Sequence, residues 1–338
     1  MKNIILGFLL LATMAMFSCQ RKSGEKATDT PVADTAVLTI GTITRQIMQD
    51  SSNAGLFRDR AMLYLAEKDP NKALRDMNAA IALKPGNSRY MLDLADIFLS
   101  MGLIDNTMES LNKALSLDPE NTETLLKLAE INLILQQYKA AVEYSDKAIE
   151  LEKSNPLPYF IKAYTFAETG DTLRAIKTYL ETVSVDQDYY DAYIQLGLIY
   201  SKAKNRLAID YLNNALNIRP ESTEALYALA LAYQQQEQAE NAIQTYNRLI
   251  IINPQHVYAH YNLGYVHLVF LDDYEQAITY FDKVLELDPG YYDALYNKAY
   301  CYELLGDPVT AWDLYKQVLE IAVNHEKAID GLNRLEGR

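Results

Sequence analysis

Residues 223–256 read TEALYALALAYQQQEQAENAIQTYNRLIIINPQH, and the same pattern returns along most of the chain. The stretch ends on Ile252-Asn253-Pro254, a form repeated at Leu83-Lys84-Pro85, Leu117-Asp118-Pro119, Ile218-Arg219-Pro220 and Leu287-Asp288-Pro289. Successive prolines fall about 34 residues apart or at multiples of that distance, the period of a repeat architecture. Aligning on them brings a small residue into register early in each unit, at Ala61, Ala95, Ala129, Ala163, Gly197, Ala230, Gly264 and Ala299. A second small column follows at Ala73, Thr107, Ala141, Ala175, Ala208, Ala242, Ala277 and Ala311. Leu94, Ala95 and Phe98 show the three- and four-residue spacing of one helix face, as do Ala242, Tyr246 and Leu249. Each unit is therefore predicted to be a pair of amphipathic helices.

The small columns have a steric reason. Two antiparallel helices approach closely only where a side chain shrinks to hydrogen or methyl, with larger residues interlocking around the contact. The proline is expected to close the unit, since it lacks a donor and biases the residue before it away from helical dihedrals. Asp69-Pro70 and Asp307-Pro308 place a capping carboxylate before a first-turn proline, a helix-start signal.

On these columns the chain resembles the tetratricopeptide repeat family over residues 54–325, with eight units beginning near Ala54, Ser88, Thr122, Pro156, Tyr190, Thr223, Val257 and Tyr292. The resemblance implies an all-α fold, a right-handed superhelical solenoid of about eight helical hairpins. Departures are local. Lys153 and Gln187 stand where the proline is expected; the fifth unit is one residue short near Lys202 to Leu207, and the seventh one long near Leu271 to Asp273. A hairpin that buries its apolar face only against neighbours needs caps at the ends of the array. Ala328, Ile329, Leu332 and Leu335 predict a closing helix within 326–338, and Val37 to Met48 a short helix over the first unit.

At the amino terminus an apolar run from Ile4 to Phe17 follows Lys2 and is shorter than a membrane span requires. Residues 1–18 read as a secretion signal. Ser18-Cys19 resembles the lipobox of bacterial lipoproteins, which implies lipidation at Cys19, although Met16 and Phe17 depart from its commonest form. Ordinary signal cleavage after Ala15 is the alternative. Polar residues from Gln20 to about Thr35 suit a flexible tether within 19–53. By resemblance, the expected location is the cell envelope, on an outer-membrane anchor facing the periplasm.

Of 338 residues, 49% are apolar, ample for a core, and 31 Lys and Arg stand against 45 Asp and Glu, for a net charge of −14. That sign disfavours nucleic acid as a partner. The sequence suggests no catalytic chemistry and no cofactor. His256, His260 and His267 hint at a metal, but His260 and His267 occupy columns where the resemblance expects packing aromatics. Cys301 lies between Tyr300 and Tyr302 with no activating group beside it in sequence, and reads as an inert thiol.

Tyrosine is in excess, 26 against 8 Phe and one Trp. The resemblance implies that first helices line a concave groove. In the second and third units its residues include Arg89, Asp93, Asp96, Glu123 and Glu130. From the fourth onward it becomes aromatic and aliphatic: Phe160, Tyr164, Ile194, Leu198, Tyr227, Leu231, Tyr258, Tyr261, Tyr265, Tyr296 and Tyr300. Tyrosine supplies large, fairly rigid, hydrogen-bonding contact area, although some of these rings must also pack between units. Asn262 and Asn297 resemble the asparagines with which peptide-binding members grip a backbone, whereas no basic set matches the family's carboxylate clamp. An extended segment of an envelope protein is the expected partner, bound by an adaptor or by a permanent subunit of an outer-membrane assembly or secretion complex.

Overall fold

The computed structural model describes residues 39–336. The expected secretion signal, Cys19 and the part of the expected tether up to residue 38 lie outside them. The described residues form helices and no strands, in two compact units divided after Thr169.

The first unit holds α1 (Ile40–Gln49), α2 (Ala54–Ala66), α3 (Pro70–Leu83), α4 (Ser88–Ser100), α5 (Ile104–Leu117), α6 (Thr122–Ile134), α7 (Tyr138–Leu151) and α8 (Pro156–Glu168). Helices α2/α3, α4/α5 and α6/α7 are hairpins; α1 packs on α2, and α8 on α6 and α7. The second unit holds α9 (Thr172–Val185), α10 (Tyr190–Lys202), α11 (Leu207–Ile218), α12 (Thr223–Gln235), α13 (Ala239–Ile252), α14 (Val257–Phe270), α15 (Tyr274–Leu287), α16 (Tyr292–Leu304), α17 (Pro308–Ile321) and α18 (Glu326–Glu336). Here α10/α11, α12/α13, α14/α15 and α16/α17 pair, and α18 closes the stack on α17.

Every residue of both small columns is buried. At Gly197 and Gly264 the reason is steric. A Cβ on Gly197 would lie 2.5 Å from Leu212 Cγ, and one on Gly264 2.7 Å from Phe281 Cε1, so the facing helix occupies the space a methyl would need.

The turns inside the hairpins share one device. Lys68, Gly102 and Gln136 in the first unit, and Lys204, Glu237, Asp272 and Gly306 in the second, all adopt positive φ. The following amide then closes back onto the helix, as Gln137 N–H does on Asn132 O at 2.7 Å and Asp307 N–H on Tyr302 O at 2.9 Å. The extra residue of the seventh unit lengthens α14 by one and leaves Asp272 as the left-handed residue.

One expectation needs correcting. The prolines do not by themselves end the second helices. The cap residues Lys84, Asp118 and Asn253 before prolines have φ near −135° and ψ near 80° (−135/78, −142/85 and −129/87), and so do Glu152 and Ala322 (−136/80 and −128/81), which no proline follows. The bend belongs to the way one hairpin meets the next; proline pre-sets a conformation that packing already demands.

Many of the helix starts are capped from the side chain. Asn53, Asn87, Asn121 and Asn155 precede α2, α4, α6 and α8 and accept from first-turn amides, and Asp69 and Asp307 do the same for the helices opened by Pro70 and Pro308.

Candidate functional site

In the first unit, the charged residues expected along a groove largely satisfy one another. Asp93 is fully buried between two arginines: Arg58 Nε donates to its Oδ2, and Arg89 Nε sits 2.9 Å from its Oδ1. Arg89 Nη1 continues the chain to Glu123 Oε2 at 2.6 Å, and Lys127 donates to Asp96. Buried charge is tolerable only when paired in this way. Glu130 is half-buried and makes no such pair among the described residues; burial pushes its carboxyl up to about 7, Lys127 opposing and Asp96 reinforcing. Phe160 is almost fully buried, its ring 6.3 Å from that of half-buried Tyr164. Burial, then the nearby Glu168, raises the Tyr164 hydroxyl to about 12.

In the second unit, tyrosines recur at the fifth position of α12, α14 and α16 as Tyr227, Tyr261 and Tyr296. Each is half-buried and meets the ring that precedes the next unit's first helix. Tyr227 lies 5.1 Å from His256, Tyr261 5.2 Å from Tyr291 and Tyr296 5.1 Å from His325. The hydroxyls are tied in too: Asn262 Nδ2 donates to Tyr227 Oη at 3.2 Å and Asn297 Nδ2 to Tyr261 Oη at 3.1 Å. Asn262 and Asn297 are buried at 9% and 8% exposure. These asparagines thus join neighbouring units through their amide donors before they meet any ligand.

The other expected site residues range from exposed to buried. Tyr258 is 58% exposed, touching His256 and Tyr291 edge-on. Tyr265 is half-buried and makes no ring contact or side-chain hydrogen bond among the described residues. Tyr300, also half-buried, stacks parallel to Tyr296 at 6.4 Å. Leu198 is exposed, Leu231 half-buried and Ile194 buried.

The histidines hold separate posts. His256 Nδ1 accepts from Ala259 N–H at 3.1 Å and caps α14, and His325 Nδ1 caps α18 on Ala328 N–H at the same distance. His260 Nε2 contacts Pro254 O at 2.9 Å and His267 Nδ1 contacts Asp273 Oδ2 at 3.1 Å, both rings lying beside Tyr280. Among the described residues, no three His, Cys, Asp or Glu side chains gather as a metal would need. Cys301 is fully buried, and burial pushes its thiol up to about 12, so it stays protonated at neutral pH.

The capping column was legible in principle. Asn53, Asn87, Asn121 and Asn155 fall at the repeat period just ahead of apolar helices, a start signal. In the second unit Ser222 keeps that signal and caps on Ala225 N–H at 3.1 Å, whereas the change to Tyr189, His256, Tyr291 and His325 carries none, because a ring's partner lies about a whole unit away.

Comparison with known proteins agrees with this architecture. Residues 88–121, 122–155 and 271–334 match the tetratricopeptide repeat family, and residues 201–282 match the family described as anaphase-promoting complex, cyclosome, subunit 3. The chain is similar to YrrB, described as a tetratricopeptide repeat protein with an unusual peptide-binding site: 25% identity over 56% of this chain and 98% of that one, TM-score 0.51. A tetratricopeptide repeat protein from Parabacteroides merdae superimposes on 74% of the chain and 98% of its own with a TM-score of 0.50, at 17% identity. Among curated relatives, cellulose synthase operon protein C of Pseudomonas fluorescens is 30% identical over 48% of this chain, and an uncharacterized protein, ycf37, of Guillardia theta is 38% identical over 19% of it. The chain spans only 13% and 36%, respectively, of those two relatives' lengths.

Proposed function

The chain belongs to the tetratricopeptide repeat proteins, a protein-binding fold, and from that premise we propose that it is a membrane-anchored scaffold that binds extended segments of other envelope proteins and does no chemistry of its own. The observation that carries the reading is the surplus of tyrosine surface on the first helices of the second unit. Tyr227, Tyr261 and Tyr296 are engaged between units, yet Tyr258 remains 58% exposed and Tyr265 keeps its ring and hydroxyl uncommitted among the described residues. Exposed aromatic area of this kind is costly to leave in water and typical of surfaces that partners cover. The peptide-binding site ascribed to YrrB supports the same reading.

Affinity purification of the Tyr258→Ala, Tyr265→Ala double variant tests it. The expected outcome is loss of the partners captured by the wild type with an unchanged unfolding midpoint; an unchanged set of partners overturns the reading.

The anchor rests on the sequence, on Ser18-Cys19 after its apolar run. We place the protein on the outer membrane, facing the periplasm. Cys19→Ser should move it from membrane to soluble fractions, and persistence in the membrane would reject lipid anchoring.

A further inference from the structure

Asp293 is the second residue of α16, the place that Glu123 holds in α6. Glu123 has an internal cation, Arg89 at 2.6 Å. Asp293 has none: among the described residues no Lys or Arg lies within ion-pair distance, and its one basic neighbour is His325, with Nε2 3.9 Å from Oδ1. The His325 ring is itself held by the start of α18, its Nδ1 accepting from Ala328 N–H at 3.1 Å, and its 3.9 Å approach to Asp293 is near the outer limit of an ion pair. The carboxylate, about half exposed, thus lacks the lysine or arginine partner that Glu123 has.

That charge stands among π faces. Tyr291 meets Tyr258 edge-on at 6.3 Å and Tyr261 at 5.2 Å, and the Asp293 charge disfavours ionisation of both Tyr261 and Tyr291. Burial is the larger cause and raises Tyr291 to about 12, so its ring remains a neutral phenol. Neutral tyrosine faces and a carboxylate without a lysine or arginine partner form the surroundings that attract a cation, and a planar guanidinium can stack on a ring while donating to the carboxylate. The chain's net charge of −14 draws such a group in.

We propose that Asp293, Tyr258, Tyr261 and Tyr291 receive an arginine side chain of the partner segment. This specifies the partner chemistry of the scaffold reading and rests on it. The recognised segment is cationic, and its guanidinium docks at the start of α16, the carboxylate accepting and the rings stacking.

The test is fluorescence anisotropy on the full chain, using a short labelled peptide of alternating glycine and arginine, and the same peptide with citrulline in place of arginine. Citrulline keeps the shape and removes the charge. The arginine peptide is expected to bind about tenfold more tightly, a ratio within reach of one partly desolvated cation–π and carboxylate site. Asp293→Asn and Tyr258→Leu should each weaken it about fivefold or more and leave the citrulline peptide unaffected, while Asp313→Asn, an equal charge change on the exposed side of α17, leaves both unchanged. Unaltered circular dichroism and unfolding midpoints show that the variants fold. Equal affinity for the two peptides, equal loss in Asp313→Asn, or binding of neither peptide overturns the proposal. If the citrulline peptide binds as tightly as the arginine one and Tyr265→Ala weakens both, the scaffold reading survives while the arginine site does not.

Discussion

The side-chain amide of Asn297 donates across 3.1 Å to the phenol oxygen of Tyr261, 36 positions earlier in the chain. Asn262 and Tyr227 make the same bond one unit before, at 3.2 Å. Two half-buried tyrosines are thereby fixed by buried partners on the following hairpin, and binding surface and inter-unit packing become one structure.

That bond should be measurable as a coupling. Asn297→Ala alone is expected to cost about 1 kcal/mol by leaving the Tyr261 hydroxyl without its donor. In a Tyr261→Phe background the same change should cost about half as much or less. Urea unfolding of the four proteins gives the cycle, and strict additivity would show that the pair contributes nothing to stability.

The close approach at Gly264 gives a second expectation. A methyl there would meet the Phe281 ring at 2.7 Å, so Gly264→Ala should destabilise the chain by about 1–3 kcal/mol. Trimming the obstruction with Phe281→Leu should recover part of that loss in the double variant. The check is thermal unfolding of the single and double variants.

At the hairpin turns, Gln136 and Glu237 hold φ of 58° and 57°, a conformation that penalises a side chain. Gly102 and Gly306 fill equivalent places at φ of 72° and 81°. Gln136→Gly and Glu237→Gly are each expected to stabilise by about 0.5–1 kcal/mol, read as higher melting temperatures.

Glu130 makes stability depend on pH in a definite direction. Its folded-state value, about 7, lies above the ordinary carboxyl value of 4.5, so between those limits the folded chain holds a proton that the unfolded chain releases. Stability should therefore fall as pH rises from about 4.5 through 7, because the half-buried carboxyl must ionise. Glu130→Gln should remove that slope and stabilise the chain by about 1–2 kcal/mol at pH 8, with little effect at pH 4. Denaturant titrations across the range provide the measurement.

How much was legible follows from how far each interaction reaches. The two small columns, Asp69-Pro70, Asp307-Pro308 and the closing helix at Glu326 are written in residues a few positions apart, and helix geometry converts their spacing directly into a face. The proline column was visible but its role was over-read, since Glu152 and Ala322 bend alike without one. The site was legible as composition only. Tyr227, Tyr258, Tyr261, Tyr265, Tyr296 and Tyr300 all announce amphipathic surface, and spacing alone does not separate the exposed ring of Tyr258 from the hydrogen-bonded ring of Tyr261.

By itself, then, the sequence determined the hairpins, their period and the small-against-large contact that lets two helices meet, because each depends on local geometry repeated every unit. Only the tertiary structure decided which polar groups remain free. Asn297 is committed to Tyr261, Asp93 to Arg58 and Arg89, and the His325 ring nitrogen to the start of α18, while Asp293 has no lysine or arginine partner among the described residues. Whether a charge or a phenol is satisfied depends on a partner about one unit away, or on how a turn folds back, and on an approach of a few ångströms that no spacing in the chain encodes.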